Sequence, residues 1–435
     1  MRALAITLVC ALCGSLNAVI GGPVYEVRDF GARGDGTNDD TAAIQTALDA
    51  SGQTNGTVHF SLGTYLSKPL TIRTKTTLNL DQGAILQASP VQSDYLKGGG
   101  DWLKARSSGA FTPFIGGNDL EDVVIEGPGI IDGHGEVWWD EAEKARRKVS
   151  GYTLPRPNLI GLTRVTNLVV RDITLRNSPK FHLVPTECEG VVISNTTILA
   201  PEHAANTDAI DPSACKNVLI THCVIDVGDD NVAIKAGRKI AGREFASEDI
   251  VVRDCTFRHG HGLSIGSETG GGVRNVLVTH CTFENTENGL RIKSQQGKGG
   301  LVENIRYEHI TMTNVDPAIT LTSYYQNNSA KDVPGSQPPV DAPAPPPGKG
   351  TPVYRDIYVT DVTATCQRSA GVIMGLPTCC VSNVILENVT INSGGGLKII
   401  NARAIQLRHV TVTPLSGKAW LLDNAQVDGL PADQK

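Results

Sequence analysis

Along most of this chain apolar and polar residues alternate with a period of two, inside a unit that keeps returning. The unit is Asn or Asp, apolar, any, apolar, any, polar, then apolar-Thr-apolar. It occupies Asn167–Leu175, Asn217–Ile225, Asp249–Phe257, Asn275–Phe283, Asn304–Met312, Asp356–Ala364 and Asn383–Ile391, with weaker copies from Asp122, Gly190 and Ala404. Most neighbouring copies start 21 to 32 residues apart, the limits being Asn383 to Ala404 and Asn217 to Asp249; wider gaps follow Asp122 and Asn304. Repeats of this length with strand periodicity mean β coils stacked as a solenoid. Coil length varies too much for propeller blades. The expected fold is all-β, a single right-handed parallel β-helix over residues 19–435.

Ahead of the repeat, Tyr25–Phe30 reads as a short strand. A turn-rich stretch from Gly31 leads to Asn38, Asp39 and Asp40, N-cap residues for a helix through about Ala50. One short helix there would cap the open end of the solenoid. Thr57–Ser61, Thr77–Leu80 and Ala84–Gln87 are expected as the first strands. Inserts near Asp94–Ala110 and Lys144–Pro157, and the Pro-rich Ser329–Pro352, read as loops.

The register assigns several polar residues to structure. Cys223, Cys255 and Cys281 share a position where other coils carry Ile or Val, so a buried thiol stack fits better than a metal site. His222, His280, His309 and His409 share another with Asp172, Asn195, Asp254, Asp361 and Asn388, a polar turn column. Cys366, Cys379 and Cys380 could supply one disulfide. Gly133-His134-Gly135 lies four recognised repeats before His261, too far to join its site, and Trp138-Trp139 could either pack or carry a sugar.

Between Asn206 and Lys293 the repeat carries four chemical clusters: Asn206-Thr207-Asp208, Gly228-Asp229-Asp230, Gly260-His261-Gly262 and Arg291-Ile292-Lys293. Superimposing Ile210, Ile234, Ile265 and Ile292 puts Asn206, Asp230, His261 and Asn288 in one column and Asp211, Lys235, Gly266 and Lys293 in another. Parallel coils about 4.8 Å apart would turn those columns into one site. Strand parity requires a bend there, or Asp229 and Asp230 could not both face it. Paired acids are usually solvated turn residues, but three acids converging with His, Arg and Lys are not. One carboxylic acid to protonate a leaving oxygen and one carboxylate to activate water suffice for glycoside hydrolysis. Like-charge repulsion would raise the pKa of the acid. Arg291 and Lys293, two apart on one strand, point the same way and can clamp a carboxylate. The residues themselves point to hydrolysis of an acidic polysaccharide.

Composition narrows the field further. The 46 glycines and 5% aromatic content suit a turn-rich β protein, and a formal net charge of −6 argues against a nucleic-acid partner. Residues 1–18 read as a secretory leader, with Arg2 ahead of a short apolar run from Ala3 to Leu12. No later segment is apolar enough for a membrane helix. A secreted monomer is expected, extracellular or periplasmic.

In this order and spacing the four clusters resemble the signatures of glycoside hydrolase family 28, the polygalacturonases, over nearly the whole mature chain. The resemblance implies inverting, metal-free and cofactor-free hydrolysis of galacturonan, the acidic plant cell-wall polysaccharide. It implies Asp229 as general acid, Asp208 and Asp230 holding the water, and His261 supporting the acid. Arg291 and Lys293 would bind substrate carboxylates, joined by Tyr324 or Tyr325; Asn206, Lys235 and Asn288 are further cleft candidates. The sequence departs from the family pattern at Asn231, where many members carry Cys, and at Ala209, where Gly is usual. Hydrolases of rhamnogalacturonan or xylogalacturonan are the nearest alternatives, and retention of the His and of Arg-x-Lys favours homogalacturonan. A Ca²⁺-dependent pectate lyase and a non-catalytic carbohydrate-binding β-helix are more distant ones. Endo or exo attack would depend on the inserted loops at the cleft ends.

Overall fold

The structure is a computed structural model that describes residues 22–104, 110–148, 154–237, 245–325 and 350–431. The expected leader and residues 329–349 of the Pro-rich stretch lie outside the described residues, as do parts of the other two inserts. Thirty strands among the described residues join in one parallel sheet wound into a right-handed β-helix. One coil shows the plan: Ser247–Arg253, Thr256–Phe257 and Leu263–Thr269 make three faces. Each pairs with its counterpart on the coils before and after. The apolar positions of the period-two pattern, such as Ile250, Val252, Phe257, Leu263 and Ile265, point inward and are fully buried.

Coils can repeat only if the chain turns at the same place each time. The first residue of the unit does this in the left-handed region: Asp122, Asn167, Asn217, Asp249, Asn275, Asn304, Asp356 and Asn383 have φ between 52° and 60°. The sixth does so again, from Asp172 and Asn195 through His222, His280 and His309 to Asn388 and His409, with φ between 49° and 56°. That region costs an ordinary L-residue roughly 1–2 kcal/mol, and Asn and Asp tolerate it best. Side-chain amides then link coil to coil. Asn275 Nδ2 donates to Asp249 Oδ1 at 2.9 Å, and Asn304 Nδ2 to Asn275 Oδ1 at 2.7 Å. The histidine column is therefore turn structure, with the His280 and His309 rings 4.8 Å apart. Cys223, Cys255 and Cys281 are buried free thiols; Cys366, Cys379 and Cys380 are also unpaired.

The N-terminal region departs from expectation in three ways. The first strand is only Val24–Glu26; Val27–Phe30 is a 3-10 turn closed by Gly31 at φ 100°. Helix α1 spans Thr41–Thr54, a turn longer than expected, and ends at Asn55 in the left-handed region. Asp40 precedes it but does not cap it, because its carboxylate accepts from the Arg33 and Gly34 amides at 2.7 and 3.0 Å. Helix α1 is also not alone. Helix α2, Glu136–Lys148, occupies part of the stretch expected as loop. Trp138, Trp139 and Ala142 recur at helical spacing and are buried; Trp138 sits edge-on to Tyr95, Trp102 and Phe111, so it packs and carries no sugar.

The turn column yields a stability test. Asn275→Val should lower the unfolding free energy by about 1–2 kcal/mol, while Asn275→Gly, which accepts the same φ, should lose less. Urea titration followed by circular dichroism measures both; equal midpoints would remove the left-handed constraint from the account.

Candidate active site

Asp208, Asp211, Asp229, Asp230 and Glu287 gather with Lys180, Lys235, His261, Arg291 and Lys293 along the third face of the helix. The strands there are Leu183–Thr186, Val232–Ala236, Leu263–Thr269, Leu290–Lys293 and Ile319–Thr322. Ile234, Ile265 and Ile292 stack as expected. Ile210 does not join them. It bridges Val232, and Ser213 bridges Lys235, a shift of two residues. The cause is local: this coil crosses the face through isolated bridges around Pro212, without a continuous strand. Asn206 and Asp211 therefore leave their expected columns. Asp208 instead falls into register with Asp230, whose carbonyl accepts from the Ala209 amide at 2.9 Å. Gly228 and Asp229 form the bend that strand parity demanded, and both aspartates after Gly228 reach the cleft.

The cleft has a volume of about 1580 Å³. It is lined by Asn206, Asp208, Asp229, Asp230, Lys235, His261, Asn288, Arg291, Lys293 and Tyr325. Tyr324 is not part of its lining, which leaves Tyr325 as the tyrosine at the site; its ring centroid lies 5.3 Å from the Arg291 guanidinium carbon and 5.1 Å from Lys293 Nζ. His134 is absent from the lining and contacts Glu136 and the Ala88 carbonyl. Trp139 borders the cleft, its indole donating to Ser178 O at 3.1 Å.

The acids fall into three charge-compensated groups. Asp208 and Asp211 share Lys235, whose Nζ donates to Asp208 Oδ2 at 3.2 Å and also to Asp211 Oδ2. Asp230 receives Lys293 Nζ at 2.6 Å and the Ser264 hydroxyl at 2.8 Å, with Arg291 at 3.6 Å. Asp229 faces His261 Nδ1 at 3.0 Å, and His261 Nε2 lies 3.0 Å from Glu287 Oε2. Asn206 completes the third group, its backbone and side-chain amides donating to Asp229 Oδ2 at 3.2 and 3.4 Å. Deeply buried Arg156 holds Asn206 by its Oδ1 at 3.0 Å. Asn288 Oδ1 accepts from the Thr320 hydroxyl at 3.2 Å.

Burial and charge set the protonation pattern. Desolvation, then Asp211 and Asp229, push Asp208 well above the carboxylate range; burial raises Asp211 to about 6. Burial also opposes charge on Asp229 and Asp230, but their cations prevail and both lie below the usual value. His261 is held well above the imidazole range, because Asp229 and Glu287 outweigh its burial. This corrects the expectation that repulsion raises Asp229. The proton of the Asp229–His261 pair resides on the imidazole in the resting site. Asp208 Oδ1 is buried with no hydrogen-bond partner among the described residues.

The turns around His261 explain its glycines. A Cβ at Gly260, φ 102°, would lie 2.4 Å from Asp229 O, and one at Gly262, φ 71°, 2.0 Å from Asn288 O. Asn231 ties this loop down, donating to His259 O at 2.9 Å and accepting from Gly262 N at 2.8 Å. At the position where the resemblance led to an expected Cys, an amide thus secures the loop. Asp229, Asp230 and His261 bring three possible metal-ligand atoms within 4.8 Å of one another, but Lys293 and Arg291 already supply the positive charge. Sequence reading missed Ser264, Glu287, Arg156, Lys180 and Phe181. None lies in a recognisable cluster; only the coil register brings them to the site.

The comparisons agree with this geometry. The model of glycosyl hydrolases family 28 matches residues 51–412. An endo-polygalacturonase of Pectobacterium carotovorum subsp. carotovorum is 37% identical over 306 residues, 68% of this chain and 74% of its own. A probable polygalacturonase of Vitis vinifera is 32% identical over 377 residues, 84% of this chain and 73% of its own. The solved polygalacturonase of Erwinia carotovora ssp. carotovora superposes with a TM-score of 0.70 at 30% identity, over 94% of this chain and 96% of its own. For the exopolygalacturonase of Thermotoga maritima the TM-score is 0.77 at 26% identity, over the same shares. Fold, clustered acids and matched length converge: the chain belongs to glycosyl hydrolases family 28.

Proposed function

We propose that this chain is a secreted, monomeric polygalacturonase that hydrolyses α-1,4-galacturonosyl bonds of homogalacturonan with inversion and without a metal. One observation carries the reading. Asp208 and Asp230 sit in register on adjacent coils, with a buried oxygen on Asp208 that has no partner among the described residues, beside the Asp229–His261 pair that holds one proton. The polygalacturonase relatives and the Arg291–Lys293 pair support the choice of substrate. Residues 1–18, read as a leader, support export towards a polymeric substrate.

The division of labour follows from charge. Asp230, kept anionic by Lys293 and Arg291, is the base, and Asp208 Oδ1 helps hold the attacking water. As the glycosidic oxygen gains charge, the proton on His261 passes across its 3.0 Å contact to Asp229, which delivers it to the leaving group. Both Asp230 oxygens are engaged, Oδ1 by Ser264 and Oδ2 by Lys293, which suits a base better than an attacking nucleophile. Asp229 and Asp230 offer oxygens within 4.8 Å, closer than the roughly 6.5–9.5 Å usual for inversion; the resemblance to family 28 implies such a short gap, with Asp208 and Asp230 sharing the water. Ca²⁺-assisted elimination fits less well, since the acids it would use are already paired with Lys and His.

Asp208→Asn, Asp229→Asn and Asp230→Asn should each reduce kcat on polygalacturonate by at least about 100-fold, with unchanged circular dichroism. A variant that keeps a tenth of wild-type turnover leaves the catalytic set. NMR of the nascent reducing end should show the inverted anomer, in EDTA as in buffer; a retained anomer means a covalent intermediate and ends the water-activating roles.

The pH profile gives an independent check. His261 binds its proton more tightly than free imidazole, so activity persists as pH rises until the Asp229–His261 pair loses that proton. The Glu287 contact contributes to this tightening. Glu287→Gln should therefore move the alkaline limb of kcat/KM to lower pH and leave the acid limb, set by Asp230, in place. Because Glu287 is 69% exposed, the displacement should shrink in high salt. An unmoved alkaline limb at low salt would separate Glu287 from the proton relay.

A further inference from the structure

Lys180 is a cation of this cleft, beside Asp208 and Lys235, that the chemistry above leaves unused. It lies on the coil before Asp208, next to Phe181 and just ahead of the strand Leu183–Thr186; two residues on, the His182 amide donates to Asp208 O at 2.8 Å. Lys235, Lys293, Arg291 and His261 each face a carboxylate within ion-pair distance. Among the described residues Lys180 has no ion-pair partner. Its ammonium is held 4.3 Å from the centroid of the Phe181 ring, and Lys235 Nζ lies 4.2 Å from the same centroid.

That arrangement is costly in the free protein. Two ammonium groups share one aromatic ring, and buried Arg156 adds a third positive charge nearby. Cation–π contact offsets part of the cost without cancelling charge. The nearest acids, Asp208 and Asp211, are committed to Lys235. Burial, then Lys235 and Arg156, lower Lys180 to about 8, so it stays charged at acidic pH while lacking an anion. A ligand carboxylate would supply one.

We infer that Lys180, presented by Phe181 beside Lys235, is a second carboxylate-binding subsite, which receives the galacturonate on the Asp208 side of the scissile bond. Arg291 and Lys293 lie four coils further on, together on the strand Leu290–Lys293. The two basic groups bracket Asp208, Asp229 and Asp230. A uronan running along the helix axis would then present one carboxylate to each, and the enzyme would read acidity on both sides of the bond it cuts. A methyl ester on the Asp208-side sugar would leave Lys180 without its anion. The inference rests on the galacturonan reading proposed above and adds the position at which a free carboxylate is required.

The test uses the Asp229→Asn protein as a binding-competent background and titrates a defined oligogalacturonate by calorimetry. Adding Lys180→Met, which keeps length and removes charge, should weaken binding by about tenfold or more, the range of a lost charge-assisted contact. Adding Lys180→Arg should restore most of it. In the active enzyme Lys180→Met should raise KM on polygalacturonate with little change in kcat, and should narrow the preference for polygalacturonate over highly methyl-esterified pectin. Equal affinity with and without Lys180, or an unchanged ester preference, overturns the subsite. If Asp229→Asn alone binds no oligogalacturonate, the substrate reading itself has failed, a result distinct from failure of Lys180. Should Lys180→Met lose its circular dichroism signal, Lys180→Gln makes the same comparison.

Discussion

The register of one weak crossing governs this site. Asp208 meets Asp230 because the Ala209 amide finds the Asp230 carbonyl and Ile210 bridges Val232. A slip of two residues would superpose the isoleucines, align Asp211 with Lys235, and carry Asp208 away from Asp230. Regular strands on either side could not enforce this choice, since any slip of two keeps the same side chains facing outward. Selection falls to the turn: Thr207 Oγ1 donates to Ala204 O at 2.6 Å and accepts from Gly228 N at 3.0 Å, fixing the approach to the bridge.

Around that register, the site solves a desolvation problem by pairing. Several buried carboxylates in one cleft would ordinarily protonate. Here the compensation is uneven: one lysine serves Asp208 and Asp211, a lysine and an arginine serve Asp230, and a shared proton serves Asp229. The unevenness separates the acids by role. Asp230 is pinned as an anion, Asp208 keeps a high affinity for protons, and Asp229 is joined to a reservoir. Identical side chains within one cluster acquire different chemistry from their neighbours alone.

Much of this was legible in the sequence, for a physical reason. A β-helix repeats its backbone, so Asn and Asp at the left-handed turns and apolar residues inside mark each coil, and stacking follows from the marks. The columns of Asp230, His261 and Asn288, and of Gly266 and Lys293, were recovered this way. Legibility ended where the backbone stops repeating. The coil of Asn206–Ser213 has bridges in place of a strand, so aligning Ile210 by residue type misled. Helix α2 is short and its Trp138 and Trp139 suit either packing or sugar stacking, so its pattern was ambiguous. Glu287 and Lys180 carried no motif: one is a charge before Asn288, the other a lysine between Pro179 and Phe181, and each gains meaning from a neighbour more than twenty residues away.

The solenoid also explains how so charged a site stays ordered. Its donors and acceptors come from separate coils, each locked to the next by backbone ladders and by left-handed turns that few residue types accept. Reorienting Asp230 would require breaking contacts to the coil of Ser264 and to that of Lys293 together. Dipoles and charges fixed in this way need no reorganisation as charge moves during bond cleavage, the condition under which electrostatic stabilisation is largest. Lys180 stands apart from this locking. Held by an aromatic face and, among the described residues, by no anion, it is the cation beside the acids whose charge is left to be satisfied from outside. Where the neighbouring lysines and arginine of the site each face a carboxylate, a lysine at the cleft wall that faces none among the described residues is best understood as part of the substrate's own recognition.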